Sequence, residues 1–216
     1  MIGPVVHGPP VLTPIMLVGQ APGPREGEFG RPFAWTAGRT LFQWFEATVG
    51  AAEEEVREKI YMAAVCRCFP GKAESSFGGD RRPDASEVKS CRPFLEREAA
   101  ILKPRLVLPI GQLAIMEVLG ARGKNRKLDD IVGIVERDVV WHGVTTDVIA
   151  LPHPSGISPW HKLEPGKTLL TKALVEIHNH PVMQEVFGHT PRDSFCPPSF
   201  AVPSLPPSGI PLSARR

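Results

Sequence analysis

Two hydrophobic rhythms run along this chain. Short apolar runs at Ile15–Val18, Ile60–Val65, Leu106–Ile110 and Val148–Leu151 read as buried strands. Between them lie longer segments with apolar residues at helical spacing. Ala37–Val49 carries Leu41, Phe42, Trp44, Phe45 and Val49 on one broad face. Glu53–Glu58 is a charged helical stretch, and Gln112–Leu119 and Lys167–His178 read as helices. A long helix is predicted between Pro83, which suits a first turn, and Pro104, which ends it. Asp84 and Glu87 fall where the helix dipole favours negative charge. Ile131–Val135 and Val139–Trp141 read as a hairpin across Glu136–Asp138. Strands separated by helices predict an α/β fold with right-handed crossovers: a three-layer α/β/α domain around a mainly parallel four-stranded sheet.

The linking segments are rich in glycine, proline and charge. Residues 1–14 contain Pro4, Pro9, Pro10 and Pro14 and read as an extended lead-in. Gly19–Pro32 and Cys68–Arg82 read as polar loops. From His180 onward the composition changes, and prolines from Pro191 to Pro211 leave little room for a helix or a central strand. The expected organisation is one domain over residues 1–185 and a Pro-rich tail over 186–216.

Composition narrows the class. The 216 residues are 42% hydrophobic with a mean hydropathy of −0.07, ordinary for a soluble globular protein. No apolar run approaches a membrane span, and the first residues lack the pattern of an export signal. A cytoplasmic protein, of bacterial cytosol or nucleoid, with reduced thiols and no membrane partner is expected. The net charge of +2 does not itself argue for nucleic acid. Arg81 with Arg82, and the basic residues within Ala121–Lys127, can neutralise phosphates but read equally as solvated loops. Of the four cysteines, Cys66 and Cys68 are spaced C-x-C and Cys196 lies in the tail, a poor pattern for a metal site.

Candidate chemistry gathers at two strand tips. Met16–Gly23 reads MLVGQAPG and Ile149–Gly156 reads IALPHPSG. Each is a buried strand stopping in Pro, Gly and polar residues. Ligands of open α/β sheets bind beyond the carboxyl ends of strands, so the two tips predict one pocket. Taken alone, Phe33 is better read as a core aromatic, and Ser155 equally as the cap of a turn.

The first motif continues as Gly30-Arg31-Pro32-Phe33 and Ala37-Gly38-Arg39, and the second centres on His153-Pro154-Ser155. Together these resemble the uracil-DNA glycosylase superfamily, closest to its iron–sulfur-bearing prokaryotic branches. Tyr61–Val65 with Cys68, Pro70 and Gly71, then Cys91–Leu95 and Pro109-Ile110-Gly111, are similar to further parts of that pattern, in order, over residues 15–178. The resemblance implies a monofunctional, monomeric enzyme that hydrolyses uracil from DNA and leaves an abasic site. His153 and Gln20 are the expected catalytic residues. Gly19, Gln20, Ala21, Phe33, Ala64 and His153 are expected to bind the extruded base. Arg25, Arg31, Arg67, Lys72, Ser155, Gly156 and Ile157 are expected to contact the DNA.

Three departures from that pattern matter. The iron–sulfur branches carry two cysteines before the first motif, whereas residues 1–65 here hold none. Cys68 and Cys91 match the other two positions, and two thiolates cannot hold a four-ligand cluster, so no cofactor or metal is expected. Ala21 stands where other relatives have an acid, and Gln20 where the closest branches have Glu. Glu26 and Glu28 are nearby, with no sequence signal that either enters the pocket. Ala64 stands where several relatives have an Asn that reads the uracil edge. Pro159 and Trp160 are candidates, with Ile157, for an apolar wedge; Trp160 reads equally as packing on Trp141 or Leu163. Two other readings stay open. Ala21 and Ala64 keep alive a non-catalytic or weakly catalytic protein that binds uracil-containing or single-stranded DNA. A nucleotide hydrolase would use Gly19–Gly23 as a phosphate cradle, but the loop lacks both the P-loop and the dinucleotide-site endings.

Overall fold

The computed structural model of the chain describes residues 1–74, 79–156 and 159–188. Ile157, Cys196 and nearly all of the Pro-rich tail lie outside the described residues. Five strands form one sheet: β1 (Ile15–Gly19), β2 (Tyr61–Ala64), β3 (Leu106–Pro109), β4 (Val135–Trp141) and β5 (Val144–Ile149), in the order β2-β1-β3-β5-β4. All neighbours are parallel except the β4–β5 pair. The fifth strand arises because the hairpin turns elsewhere than the sequence suggested. His142 and Gly143 make the turn with φ of 46° and 78°, the doubly positive geometry of a two-residue hairpin. Asp138, expected in the turn, instead sits at a bulge where the register shifts between Glu136 and Val139.

Helices α1 (Glu26–Phe29), α2 (Thr36–Val49), α3 (Glu53–Lys59), α4 (Ala85–Leu102), α5 (Gly111–Leu119), α6 (Gly166–Asn179) and α7 (Pro181–Phe187) complete the fold. Side chains along β1 alternate between the two sheet faces, as a strand requires. Ile15 and Leu17 join the core with Phe42, Phe45, Leu170 and Ile177, whereas Met16 and Val18 join Leu95, Ala99, Ala114 and Ile115. These two cores are the two interfaces of an α/β/α sandwich.

Local signals explain most boundaries. Asp84 caps α4 by accepting from the backbone N–H groups of Ser86 and Glu87, while the Glu87 carboxylate accepts from Asp84 N–H. The lead-in runs beside edge strand β2: Ile2 N–H donates to Phe69 O, and Gly8 N–H to Met62 O. This occupies polar backbone on an otherwise open edge.

Helix α7 is a departure from the extended segment expected after His180. Pro181 occupies its first turn, where a missing N–H costs nothing, and His180 caps it by accepting from Val182 N–H. Val182 and Met183 are buried, and the His180 Nε2 reaches Asp147 at 3.2 Å.

The parallel register lines up the strand ends. Gly19 pairs with Ala64, Val18 with both Ala63 and Pro109, and Ile110 bridges Leu151. Helix α2 then closes on the Phe33 loop so tightly that a Cβ on Gly38 would overlap the Phe33 carbonyl group. Gly38→Ala should therefore destabilise the protein by about 1–3 kcal/mol, the usual cost of overpacking, as a lowered denaturant midpoint at unchanged m-value.

Candidate active site

The row of strand ends opens into a cavity of about 740 Å³. The first strand tip supplies Gly19, Gln20 and Ala21, β2 supplies Ala64, and the second tip supplies His153, Ser155 and Gly156. Phe33, Arg25 and Lys72 border the same space. The two polar tips thus share one cavity of a size that admits a pyrimidine nucleotide.

Phe33 is held there by construction. Its φ is 55°, a left-handed conformation unusual for a bulky residue. The guanidinium of Arg57, on α3, donates to Pro32 O at 2.9 Å and Phe33 O at 3.2 Å. Arg57 is itself buried, ion-paired to Glu53 at 2.9 Å and stacked over the Phe42 ring at 4.5 Å. Burial pulls its pKa down, with Glu53 opposing, yet an arginine starts so high that it stays charged. The Phe33 ring meets the tip of β1, where a Cβ on Gly19 would lie 2.9 Å from Cζ. Only glycine lets the ring come this near the backbone.

Glu26 is the residue that sequence reasoning missed. It is 8% exposed and lines the cavity. Its Oε2 accepts from Gly23 N–H at 2.9 Å, and further bonds from the backbone at Phe33 and Ala34 favour its charged form. Burial outweighs these bonds and pushes its pKa above the usual carboxylate value. The carboxylate ties the glycine turn of the first motif to the Phe33 loop. Asp80 is the other carboxylate at the wall among the described residues, and it pairs with Lys72 at 2.7 Å.

His153 approaches from the opposite side. The Ser155 N–H donates to its Nδ1 at 3.3 Å. A neutral ring accepting at Nδ1 carries its proton on Nε2, leaving that N–H as the donor for a ligand. Gly111, with φ of 78°, backs the ring; a Cβ there would lie 3.2 Å from His153 Cδ2. Burial lowers the His153 pKa, with the Asp80 charge opposing.

Several expected contacts fall elsewhere. Arg67 does not face DNA: it is buried and ion-paired with Glu98, which also accepts from the Tyr61 hydroxyl at 2.8 Å. Its strand-end position turns it under α4 instead of outward. Arg31 is not among the lining residues and pairs with Glu53 at 3.5 Å and Glu54 at 2.9 Å. Trp160 packs half-buried against the α2–α6 core and donates from Nε1 to Asp129 at 2.7 Å. Of the two partners considered from sequence, Trp141 lies in the other core, and the exposed Leu163 donates its backbone N–H to Trp160 O at 3.4 Å. Glu26 and Arg57 carried no distinctive sequence signal, because each matters through backbone groups of a loop whose path only the fold defines.

A model of the uracil DNA glycosylase superfamily matches residues 5–177, and the chain belongs to that superfamily. It is similar to the type-4 uracil-DNA glycosylase of Sulfurisphaera tokodaii, 28% identical over 143 residues, covering 65% of this chain and 59% of that protein. The type-4 uracil-DNA glycosylase of Pyrobaculum aerophilum is 32% identical over 146 residues, covering 66% of this chain and 67% of that protein. A type-5 uracil-DNA glycosylase of Pyrobaculum aerophilum is 30% identical over 76 residues, 34% of this chain and 30% of that protein. The chain thus spans under two thirds of the first of these relatives.

Among the described residues, the side chains do not make up the cluster site that the iron–sulfur branches imply. Cys66 is buried, and burial with the neighbouring Cys91 raises its pKa, so it holds its proton. Among the described residues no three His, Cys, Asp or Glu side chains stand together as a metal site.

Two outcomes test this geometry. On ¹⁵N NMR titration His153 should show the Nε2–H tautomer at pH 7 and a midpoint below the ordinary 6.5, because burial disfavours its cation. Arg57→Met should leave the Pro32 and Phe33 carbonyls without their buried donor and cost about 2–5 kcal/mol of stability. Unchanged denaturant unfolding in that variant would show that Arg57 does not hold the loop.

Proposed function

We propose that this protein is a uracil-DNA glycosylase. The observation that carries this reading is the shared cavity: an aromatic face at Phe33, a histidine donor at His153 and the backbone tip at Gly19–Ala21 surround one space of base-like size. A base must leave the helical stack to enter such a space, and Phe33 supplies a surface that replaces the lost stacking. As the bond between C1′ and N1 lengthens, its electron pair moves onto the uracil ring and the sugar becomes cation-like. His153 Nε2–H donates to the uracil oxygen where that charge grows. A preoriented donor in a dry site is worth most at that moment. Water then adds to C1′ and loses a proton, and the uracil anion takes up a proton, giving free uracil and an abasic site.

Ala21 and Ala64 shape how the reaction is carried. Neither methyl group can activate water or read a base edge. Leaving-group stabilisation by His153 therefore bears most of the catalysis. The Glu26 carboxylate, buried at the wall, favours the cationic sugar electrostatically. Discrimination between uracil and cytosine rests on the Gln20 amide and backbone groups, since a site built on hydrogen bonds rejects a mismatched edge strongly. We read the protein as a monomer and place it in the cytosol with uracil-containing DNA as its partner. Phosphate contacts fall to Arg25, Lys72 and the Ser155–Gly156 backbone. The same two alanines favour one rival, a binding protein that holds uracil-DNA without turnover.

Excision decides between them. A labelled oligonucleotide with one uracil, treated with the protein and then alkali, should be cut at the uracil. His153→Ala should slow this about 10²–10³-fold, the loss typical of a removed oxyanion donor. A gel shift without scission by the unmodified protein would establish the binding protein instead.

A further inference from the structure

At the cavity wall stands an aromatic pair to which the base-binding reading assigns no role. The rings of Phe29, at the end of α1, and Trp35, before α2, stack with centroids 5.9 Å apart and planes 23° apart. Trp35 is 43% exposed and Phe29 49% exposed, whereas Trp44 and Trp141 are each only 3% exposed. The Arg25 guanidinium lies 4.6 Å from the Trp35 ring centre and forms no salt bridge with a described residue. Trp35 and Arg25 both reach the cavity wall. The pair is therefore continuous with the space occupied by an extruded base.

We propose that Phe29, Trp35 and Arg25 form a stacking subsite for an unpaired nucleobase next to the uracil, so that this chain favours single-stranded substrate. This rests on the glycosylase reading for the occupant of the cavity. The chemistry selects the ligand. An exposed aromatic ladder offers any nucleobase a π-face without regard to sequence, and a neighbouring arginine adds charge for the connecting phosphate. A base inside a duplex already has stacking partners and gains little from the ladder. A base in a single strand gains a partner it lacks. Arg25 can leave the Trp35 ring for the phosphate, because no carboxylate among the described residues holds it.

The test compares Trp35→Ala with the unmodified protein on two single-stranded oligonucleotides. One carries normal nucleotides beside the uracil, and the other carries abasic spacers there. On the normal strand Trp35→Ala should raise KM about tenfold or more, with the loss in KM and not kcat, and Trp35→Phe should restore most of it. On the spacer strand the unmodified protein should already bind weakly, and Trp35→Ala should add nothing. On a duplex the effect should fall below about threefold. An unchanged KM on the normal strand, or an equal loss on both strands, overturns the subsite. Fluorescence anisotropy with the same oligonucleotides separates the two claims. Binding that depends on Trp35 without any excision sinks the glycosylase reading and keeps the subsite. Excision that ignores Trp35 does the reverse, and an absence of binding to any strand overturns both.

Discussion

Everything at the site depends on the register of the parallel strands. Gly19, Ala64, Ile110 and Leu151 stand in one row because β1, β2, β3 and the segment after β5 pair in step. The chain leaves each strand at that row, so the polar residues that follow converge. A slip of one residue in β1 would exchange Ile15 and Leu17 with Met16 and Val18 between the two cores, which two buried faces forbid. Packing on both sides of the sheet is what aims Gln20 and His153 at the same space.

Onto this row the fold adds buried charge in unusual places. Arg57 and Glu26 are both nearly inaccessible, and each bonds loop backbone: Arg57, beside its ion pair with Glu53, the Pro32 and Phe33 carbonyls, and Glu26 the Gly23 N–H. Buried charges persist only where fixed polar partners satisfy them. Here the partners include the loop carrying the aromatic face, so the cost of burying these two polar groups goes with bonds that fix the path of that loop. His153 lies at the other extreme. Burial keeps it neutral, with Ser155 N–H choosing the tautomer. The site thus opposes an aromatic plane to a neutral directional donor, the combination that the proposed glycosylase reading needs for a departing pyrimidine anion.

Much of this was legible in the sequence. The core strands Ile15–Gly19, Tyr61–Ala64 and Leu106–Pro109 showed as apolar runs because strands buried on both faces have no polar alternation. Gly19, Gln20, Ala21, Phe33, His153, Ser155 and Gly156 line one cavity, and the family match covers them. The edge of the sheet was harder. The Glu136–Asp138 segment looks like a turn by composition, but cross-strand packing of Val139 and Trp141 carries it through as a bulge. Helix α7 was hidden because proline reads as a breaker unless it falls in a first turn. The charged residues were least legible. Arg67 and Arg57 are both arginines near strand β2, and only three-dimensional packing shows that both are internal struts.

The central claim is that one extruded pyrimidine lies between the two strand tips. A crystal structure with a uracil-containing oligonucleotide or with free uracil tests it most directly. The account predicts the uracil ring flat against Phe33 with one carbonyl oxygen within about 2.7–3.1 Å of His153 Nε2. A uracil bound away from Phe33, or a His153 ring turned so that Nε2 meets no part of the base, would contradict it.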